Sequence, residues 1–206
     1  MHEKFHVIIP PDRYAQALET AKIINVKEDC SFLEGVKTVH NNDPIRNYIA
    51  MTWEPACTVI GINGLPSVQD AGNVLHSKIE LLLSIRTPPT LNSKEAAKFA
   101  IEELMRDPPY NAKVTATCDE KGFGWNSLTM PERFYQIIES SSKNFFGKKI
   151  KFLGEGGSIP LVNDLQTRYP NSFFLVTGVL GPESNAHGAN EMFHIPFAKK
   201  FVCCMS

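Results

Sequence analysis

A histidine, an arginine and a glycine-rich loop carry the chemistry open to this chain. His187 lies in the small-residue segment Gly181-Pro182-Glu183-Ser184-Asn185-Ala186-His187-Gly188-Ala189-Asn190-Glu191, just after the apolar run Phe173–Leu180. An imidazole between Ala186 and Gly188 has little crowding its ring and suits a metal ion, and the carboxyl end of a buried strand is where α/β folds place ligands. A lone loop histidine is more often only hydrogen-bonded, so position alone leaves both uses open. Gly154-Glu155-Gly156-Gly157-Ser158 leads into a helix, and successive backbone N–H groups at a helix start attract anions. It lacks the lysine of a P-loop, and a plain tight turn is the commoner use of such glycines. Arg86 ends an alternating strand on its non-core face, before Thr87-Pro88-Pro89-Thr90. Its guanidinium can pair bidentately with a carboxylate, or simply be solvated.

These residues need elements to hold them. Cys57–Ile62 and Lys78–Arg86 read as strands. In the second, Ile79, Leu81, Leu83 and Ile85 alternate with Lys78, Glu80, Ser84 and Arg86, as in a half-buried strand, and Leu82 breaks the alternation. Asn92 followed by Glu95 forms a capping box for a helix with Ala96, Phe99, Ala100 and Leu104 on one face, and Pro108-Pro109 stops it. Another alternating strand follows at Lys113–Cys118. Strand, strand, helix, strand predicts most of a ferredoxin-like α+β sandwich.

Past Gly122-Phe123-Gly124 the pattern changes character. Thr129 and Glu132 offer a capping box, Phe134, Ile137 and Ile138 follow at helical spacing, and Gly147 is a stop. A strand over Ile150–Phe152, the glycine loop, a helix over Ile159–Arg168 and the run Phe173–Leu180 come next. A run apolar on both faces predicts a parallel strand covered by helices on each side. The expected organisation is an α+β domain over residues 1–120 and an α/β domain over 121–206. The first 50 residues give the weakest pattern; Pro10-Pro11 opens a helix over Asp12–Ile23, and the rest reads as irregular.

Composition excludes several partners. The 206 residues are 43% hydrophobic and 21% charged, with a net charge of −1. That leaves no basic excess for nucleic acid or an anionic membrane surface. The five cysteines (Cys30, Cys57, Cys118, Cys203, Cys204) are odd in number and contain no C-x-x-C pair. They predict reduced, mostly buried thiols rather than a disulfide framework or a thiolate zinc site. The N-terminus has no signal-peptide pattern, and no stretch approaches ~18 consecutive apolar residues. The cytoplasm is the expected location.

Two segments resemble a known family. Gly156-Gly157-Ser158-Ile159-Pro160, and the H-x-x-N-E pattern of His187, Asn190 and Glu191, resemble the zinc-dependent dipeptidases, aminoacylases and acetylornithine deacetylases. These are the metallopeptidases of clan MH, which include carnosinase-type enzymes. The resemblance runs over about residues 45–200 and reaches only the C-terminal part of that family. It implies that His187 is the last zinc ligand and that Gly157 and Ser158 bind the substrate's carboxylate or backbone. Arg86, ending the Ile85-Arg86 strand before a proline turn, would hold the substrate carboxylate. Asn73, in the turn Gly72-Asn73-Val74-Leu75, would also reach into the site; that turn usually continues with proline, where this chain has His76. Trp53-Glu54-Pro55 through Gly61-Ile62-Asn63-Gly64 resembles the family's lid strand entry, with Trp53 read as packing. The implied fold is an incomplete ferredoxin-like lid, used for dimerisation, followed by the C-terminal part of an α/β zinc-peptidase catalytic domain.

The rest of the family's machinery is not in the sequence. Its chemistry uses two zinc ions about 3.5 Å apart and a carboxylate general base. Those groups come from an H-x-D-x-x-P segment, a later aspartate and a Glu-Glu pair. His40-Asn41-Asn42-Asp43-Pro44 has the wrong spacing, and Glu102-Glu103 falls in a surface helix. One ligand cannot hold a zinc ion that takes about four. The expectation is therefore the C-terminal portion of a zinc metallo-dipeptidase, inactive alone, and both ends of the chain point to a truncated gene or a fragment. An N-acyl-amino-acid deacylase is the alternative within the family, and a non-catalytic dimerisation or binding module the alternative outside it. The implied partners are a dipeptide or N-acyl amino acid and a second copy of the chain.

Overall fold

The computed structural model describes residues 1–24, 32–41, 43–119, 122–156, 159–181 and 183–206. They form two compact units: Met1–Ile9, Ala50–Trp125 and Glu155–Pro160 in the first, Pro10–Ile49, Asn126–Gly154 and Leu161–Ser206 in the second. In chain order the described elements include helices α1 (Pro11–Thr20) and α2 (Pro44–Trp53), strands β1 (Ala56–Asn63) and β2 (Glu80–Arg86), and helix α3 (Ser93–Met105). Helices α4 (Glu132–Phe146), α5 (Pro160–Arg168) and α6 (Ile195–Met205) follow. None of the described helices is long and apolar enough to cross a membrane.

In the first unit β1 and β2 pair antiparallel, with Ala56 opposite Arg86 and Asn63 opposite Glu80. The register shifts between Val59, opposite Leu83, and Gly61, opposite Leu82. Ile60 is the extra residue of a bulge there, and the bulge falls beside the residue that breaks the alternation of β2. The expected half-buried strand is not what forms: Leu81 and Leu82 are both exposed, and Leu83, Ser84 and Ile85 are all partly covered. Gly64 closes the strand end at φ +89°, where a Cβ would lie 2.2 Å from the Lys78 carbonyl oxygen. Only glycine fits that approach.

Helix α3 starts as its sequence predicts. The Asn92 side chain accepts the N–H groups of Lys94 and Glu95 at 3.1 and 3.3 Å, satisfying two donors that the first helical turn leaves free. Its Phe99 ring packs at 5.5 Å from that of the buried Phe5, and Lys4 Nζ sits 4.5 Å from the Phe99 centroid. Asn92→Ala is expected to cost about 1 kcal/mol of stability, read as a lower midpoint in urea with unchanged slope.

The strand expected over Lys113–Cys118 is not formed. Among the described residues the one sheet is two-stranded, so a ferredoxin-like sheet is not present in them. Alternation survives only over the last three residues, with Ala116 and Cys118 partly covered and Thr117 exposed, whereas Val114 is exposed. Alternation tells which face a segment would bury; it does not supply the neighbouring backbone that makes a ladder.

In the second unit Arg13 ties α1 to the segment before α4. Its Nε donates to Asn126 Oδ1 at 2.9 Å, and its Nη2 donates to Ser127 Oγ at 3.0 Å and to the Ser127 carbonyl. Helix α4 begins after Pro131 without a side-chain cap, so the Thr129 capping box does not form. It ends as expected, on Gly147 in the left-handed conformation at φ 70°. Its aromatic residues pack outward from the helix: Phe134 on Phe173 at 5.6 Å, Tyr135 on Phe152 at 6.3 Å, and Phe146 on Phe197 of α6 at 4.9 Å.

The strands expected at Ile150–Phe152 and Phe173–Leu180 are likewise absent. Val176 and Leu180 are half exposed, so the run is not sandwiched between helices. Its inner residues are held singly instead, Phe173 by the Phe134 ring and the Val179 carbonyl by the His194 N–H at 3.2 Å. The buried apolar side chains among the described residues are Phe5, Ala17, Ala21, Tyr48, Ile49, Trp53, Pro88 and Ala96. All but Trp53, Pro88 and Ala96 come from the first 50 residues, the part with the weakest pattern. Cys57 and Cys203 carry free thiols that are exposed rather than buried, and Cys30 lies outside the described residues. Burial, with Cys203 beside it, pushes the half-covered Cys204 thiol up.

Candidate functional site

Arg86 is the last residue of β2 and stands at the wall of a cleft of about 330 Å³ in the first unit. The end of α2 and the start of β1 supply most of the other walls, among them Met51, Thr52, Glu54 and Thr58. The guanidinium does not float free: Nη1 donates to the Gly156 carbonyl at 3.1 Å. Strand and glycine loop, 70 residues apart, thus meet through a charge-assisted bond. Gly156 packs so closely that a Cβ there would lie 2.5 Å from the Met51 carbonyl oxygen. With one carboxylate (Glu54), one guanidinium and hydroxyls from threonines on its walls, the cleft can take a small polar molecule by its charges.

The start of the glycine loop is fixed separately. In the second unit, the Gly154 N–H donates to the hydroxyl of Tyr48, a residue of α2 that is 3% exposed, at 2.5 Å. Nothing in the sequence marked Tyr48, because an aromatic in a weakly patterned segment reads as packing. Tyr48→Phe leaves a part-buried donor unsatisfied and is expected to cost about 1–2 kcal/mol in denaturant unfolding.

Gly157 and Ser158 lie outside the described residues. Asn73 lies in the connection between β1 and β2, which is exposed throughout residues 62–79. The Val74 N–H donates to the Gly72 carbonyl at 2.9 Å across it, a tight three-residue turn. His76 is exposed, as a surface residue.

His187 sits in the second unit, in a loop that closes on itself. Met192 N–H donates to the Ser184 carbonyl at 3.0 Å, Gly188 N–H to the Asn185 carbonyl at 2.9 Å, and Asn185 Nδ2 to the Ala189 carbonyl at 2.7 Å. The buried Ser184 hydroxyl accepts the Gly181 N–H at 2.7 Å. Four non-glycine residues, Glu183, Asn185, His187 and Asn190, have φ between 51° and 63°. Asparagine tolerates that region; glutamate and histidine do so at a cost, and such outliers concentrate at functional sites. The His187 N–H donates to Glu191 Oε2 at 3.1 Å, so the first and last residues of the H-x-x-N-E pattern hold each other across the turn. Ser184 and Asn185 are the residues whose loop-shaping role the sequence did not reveal, although asparagine beside small residues is a signal for left-handed turns.

His187 has an exposed imidazole suited to a metal, but among the described residues no group of three or more His, Cys, Asp or Glu side chains is placed to hold one. A zinc ion takes about four ligands, so the donor set here does not make up a site. The two look-alike segments are structural: the His40 N–H donates to Asn47 Oδ1 at 3.1 Å, while Glu102 and Glu103 pair with Lys98 and Arg106 on the surface of α3.

No protein-family model matches the chain. It is 30% identical over 171 residues to the cysteinylglycine-S-conjugate dipeptidase of Corynebacterium striatum, an alignment covering 80% of this chain and 36% of that protein. Among solved structures, it is similar to the di-peptidase Dug1p of Saccharomyces cerevisiae, with a TM-score of 0.71 at 20% identity, over 98% of this chain and 42% of that one. It is also similar to the M20 family metallo-carboxypeptidase Sso-CP2 of Sulfolobus solfataricus, with a TM-score of 0.73 at 14% identity, over 98% of this chain and 45% of that one. The chain spans about a third of the length of the curated relative it matches.

Proposed function

For a chain related to the M20 metallo-peptidases over the part that it spans, we propose the role of the C-terminal portion of a metallo-dipeptidase. The reading is carried by one observation: the Arg86 guanidinium and the glycine loop meet at Gly156, on the wall of a cleft that also presents a carboxylate. In this role Arg86 holds the carboxylate of a dipeptide, the backbone of Gly157 and Ser158 orients it, and Asn73 closes over it from the β1–β2 connection. His187 is one ligand of the zinc pair, and the metal supplies an activated water when bound. The remaining ligands and the general base come from residues this chain does not contain, so the 206 residues alone are proposed to be inactive. The first 120 residues serve as part of a lid through which two copies pair, residues 121–206 as part of the catalytic domain, and the cytoplasm is the proposed location.

The deacylase alternative shares the carboxylate clamp and differs in the group on the other side of the amide. Profiling the complete protein against dipeptides and N-acetyl amino acids is expected to show cleavage of the first only; preferential cleavage of the acetylated amino acids would reverse the assignment. The purified 206-residue chain is expected to retain no stoichiometric zinc after dialysis. One zinc per chain would overturn the one-ligand account and would also count against a non-catalytic module.

A further inference from the structure

We propose that Gly156 is the positioning residue for Arg86, an inference that rests on the reading of Arg86 as a carboxylate clamp. Arg86 is exposed at the end of β2, and an arginine side chain there has many rotamers to lose on binding. Its one hydrogen bond to a described residue runs from Nη1 to the Gly156 carbonyl at 3.1 Å. That bond takes up one donor and leaves Nε and Nη2 for a ligand in the cleft, so the fork is set before the ligand arrives. The residue type follows from the packing. Any Cβ at position 156 would lie 2.5 Å from the Met51 carbonyl oxygen and 3.4 Å from Met51 Cγ. Backbone cannot give way there as a side-chain end could, so a methyl at 156 must push the loop off α2 and carry its carbonyl away from Arg86. Glycine here serves the orientation of the guanidinium, beyond making a turn.

Two NMR signals of the full 206-residue chain test this without a ligand: the Gly156 carbonyl carbon and the Arg86 Nε–Hε group. Arg86→Met removes a charge-assisted donor from the carbonyl and is expected to move the Gly156 carbon signal upfield. Gly156→Ala is expected to shift the Arg86 Nε–Hε signal and to weaken binding of glycylglycine about tenfold or more. Gly178→Ala, whose methyl meets nothing within 4 Å, leaves both readouts as in the wild type. A Gly156 carbon signal unmoved by Arg86→Met overturns the proposal, as does an unmoved Arg86 signal in folded Gly156→Ala; if Gly156→Ala does not fold, Arg86→Met decides alone. Glycylglycine bound equally by wild type and Arg86→Met, or by neither, would sink the clamp reading while the two ligand-free signals still judged the positioning.

Discussion

Replacing Arg86 with methionine is expected to weaken dipeptide binding by roughly 10- to 150-fold, the range for losing hydrogen bonds from a charged group. Methionine matches the arginine stem as far as Nε and removes the fork, so the packing of the stem against the cleft is largely retained. The exposure of Arg86 sets the effect toward the lower end, because water competes for the guanidinium. Arg86→Lys keeps the charge and loses the planar pair of donors, and about a tenfold loss is expected for it. In the complete enzyme the change belongs in KM when the carboxylate is held equally in substrate and transition state, and in kcat when the clamp also sets the angle of attack. Steady-state kinetics on both variants check this. Wild-type KM and kcat in both would remove Arg86 from the site.

The second large effect concerns stability. Trp53, the last residue of α2, is 9% exposed and belongs to the small set of buried apolar side chains. Trp53→Ala is expected to cost about 3–5 kcal/mol, through lost transfer free energy and the cavity left behind. A natural domain has only about 5–15 kcal/mol in hand. The variant is therefore expected to be largely unfolded in urea well below the wild-type midpoint. Because α2 also presents Tyr48 to Gly154 and Met51 to Gly156, loss of Trp53 is expected to release the glycine loop as well. A urea midpoint that moves by less than the equivalent of about 1 kcal/mol would show that α2 is held by something other than this residue.

The elements that were readable are those whose signals are local. The Asn92 cap of α3 and the Gly147 end of α4 lie where the sequence put them, because a cap acts within a few residues of itself. Strands β1 and β2 were also readable, β2 from an alternation that its burial does not follow. The segments at 113–118, 150–152 and 173–180 had equally good strand composition and are not paired among the described residues. Pairing depends on a neighbour, and no segment's composition states whether one is present. Helix α2 was missed although it contributes Tyr48, Ile49 and Trp53 to the buried set; its mixed sequence, with Arg46, Asn47 and Thr52 between the apolar residues, shows no clean stripe.

Of the site, Arg86 and the glycine loop were identified separately, and their meeting at Gly156 was not foreseen. A hydrogen bond across 70 residues leaves no trace in spacing. The H-x-x-N-E pattern contains Glu191 without giving it a role, and the bond from the His187 N–H to the Glu191 carboxylate shows one thing the glutamate does: it braces the turn.

The proposed function makes these 206 residues the C-terminal portion of a metallo-dipeptidase. Reading the DNA upstream of the Met1 codon tests it most directly. The account predicts an in-frame segment encoding H-x-D-x-x-P, a later aspartate and a Glu-Glu pair, the groups that would complete the zinc site with His187. A stop codon immediately upstream of Met1 would contradict it.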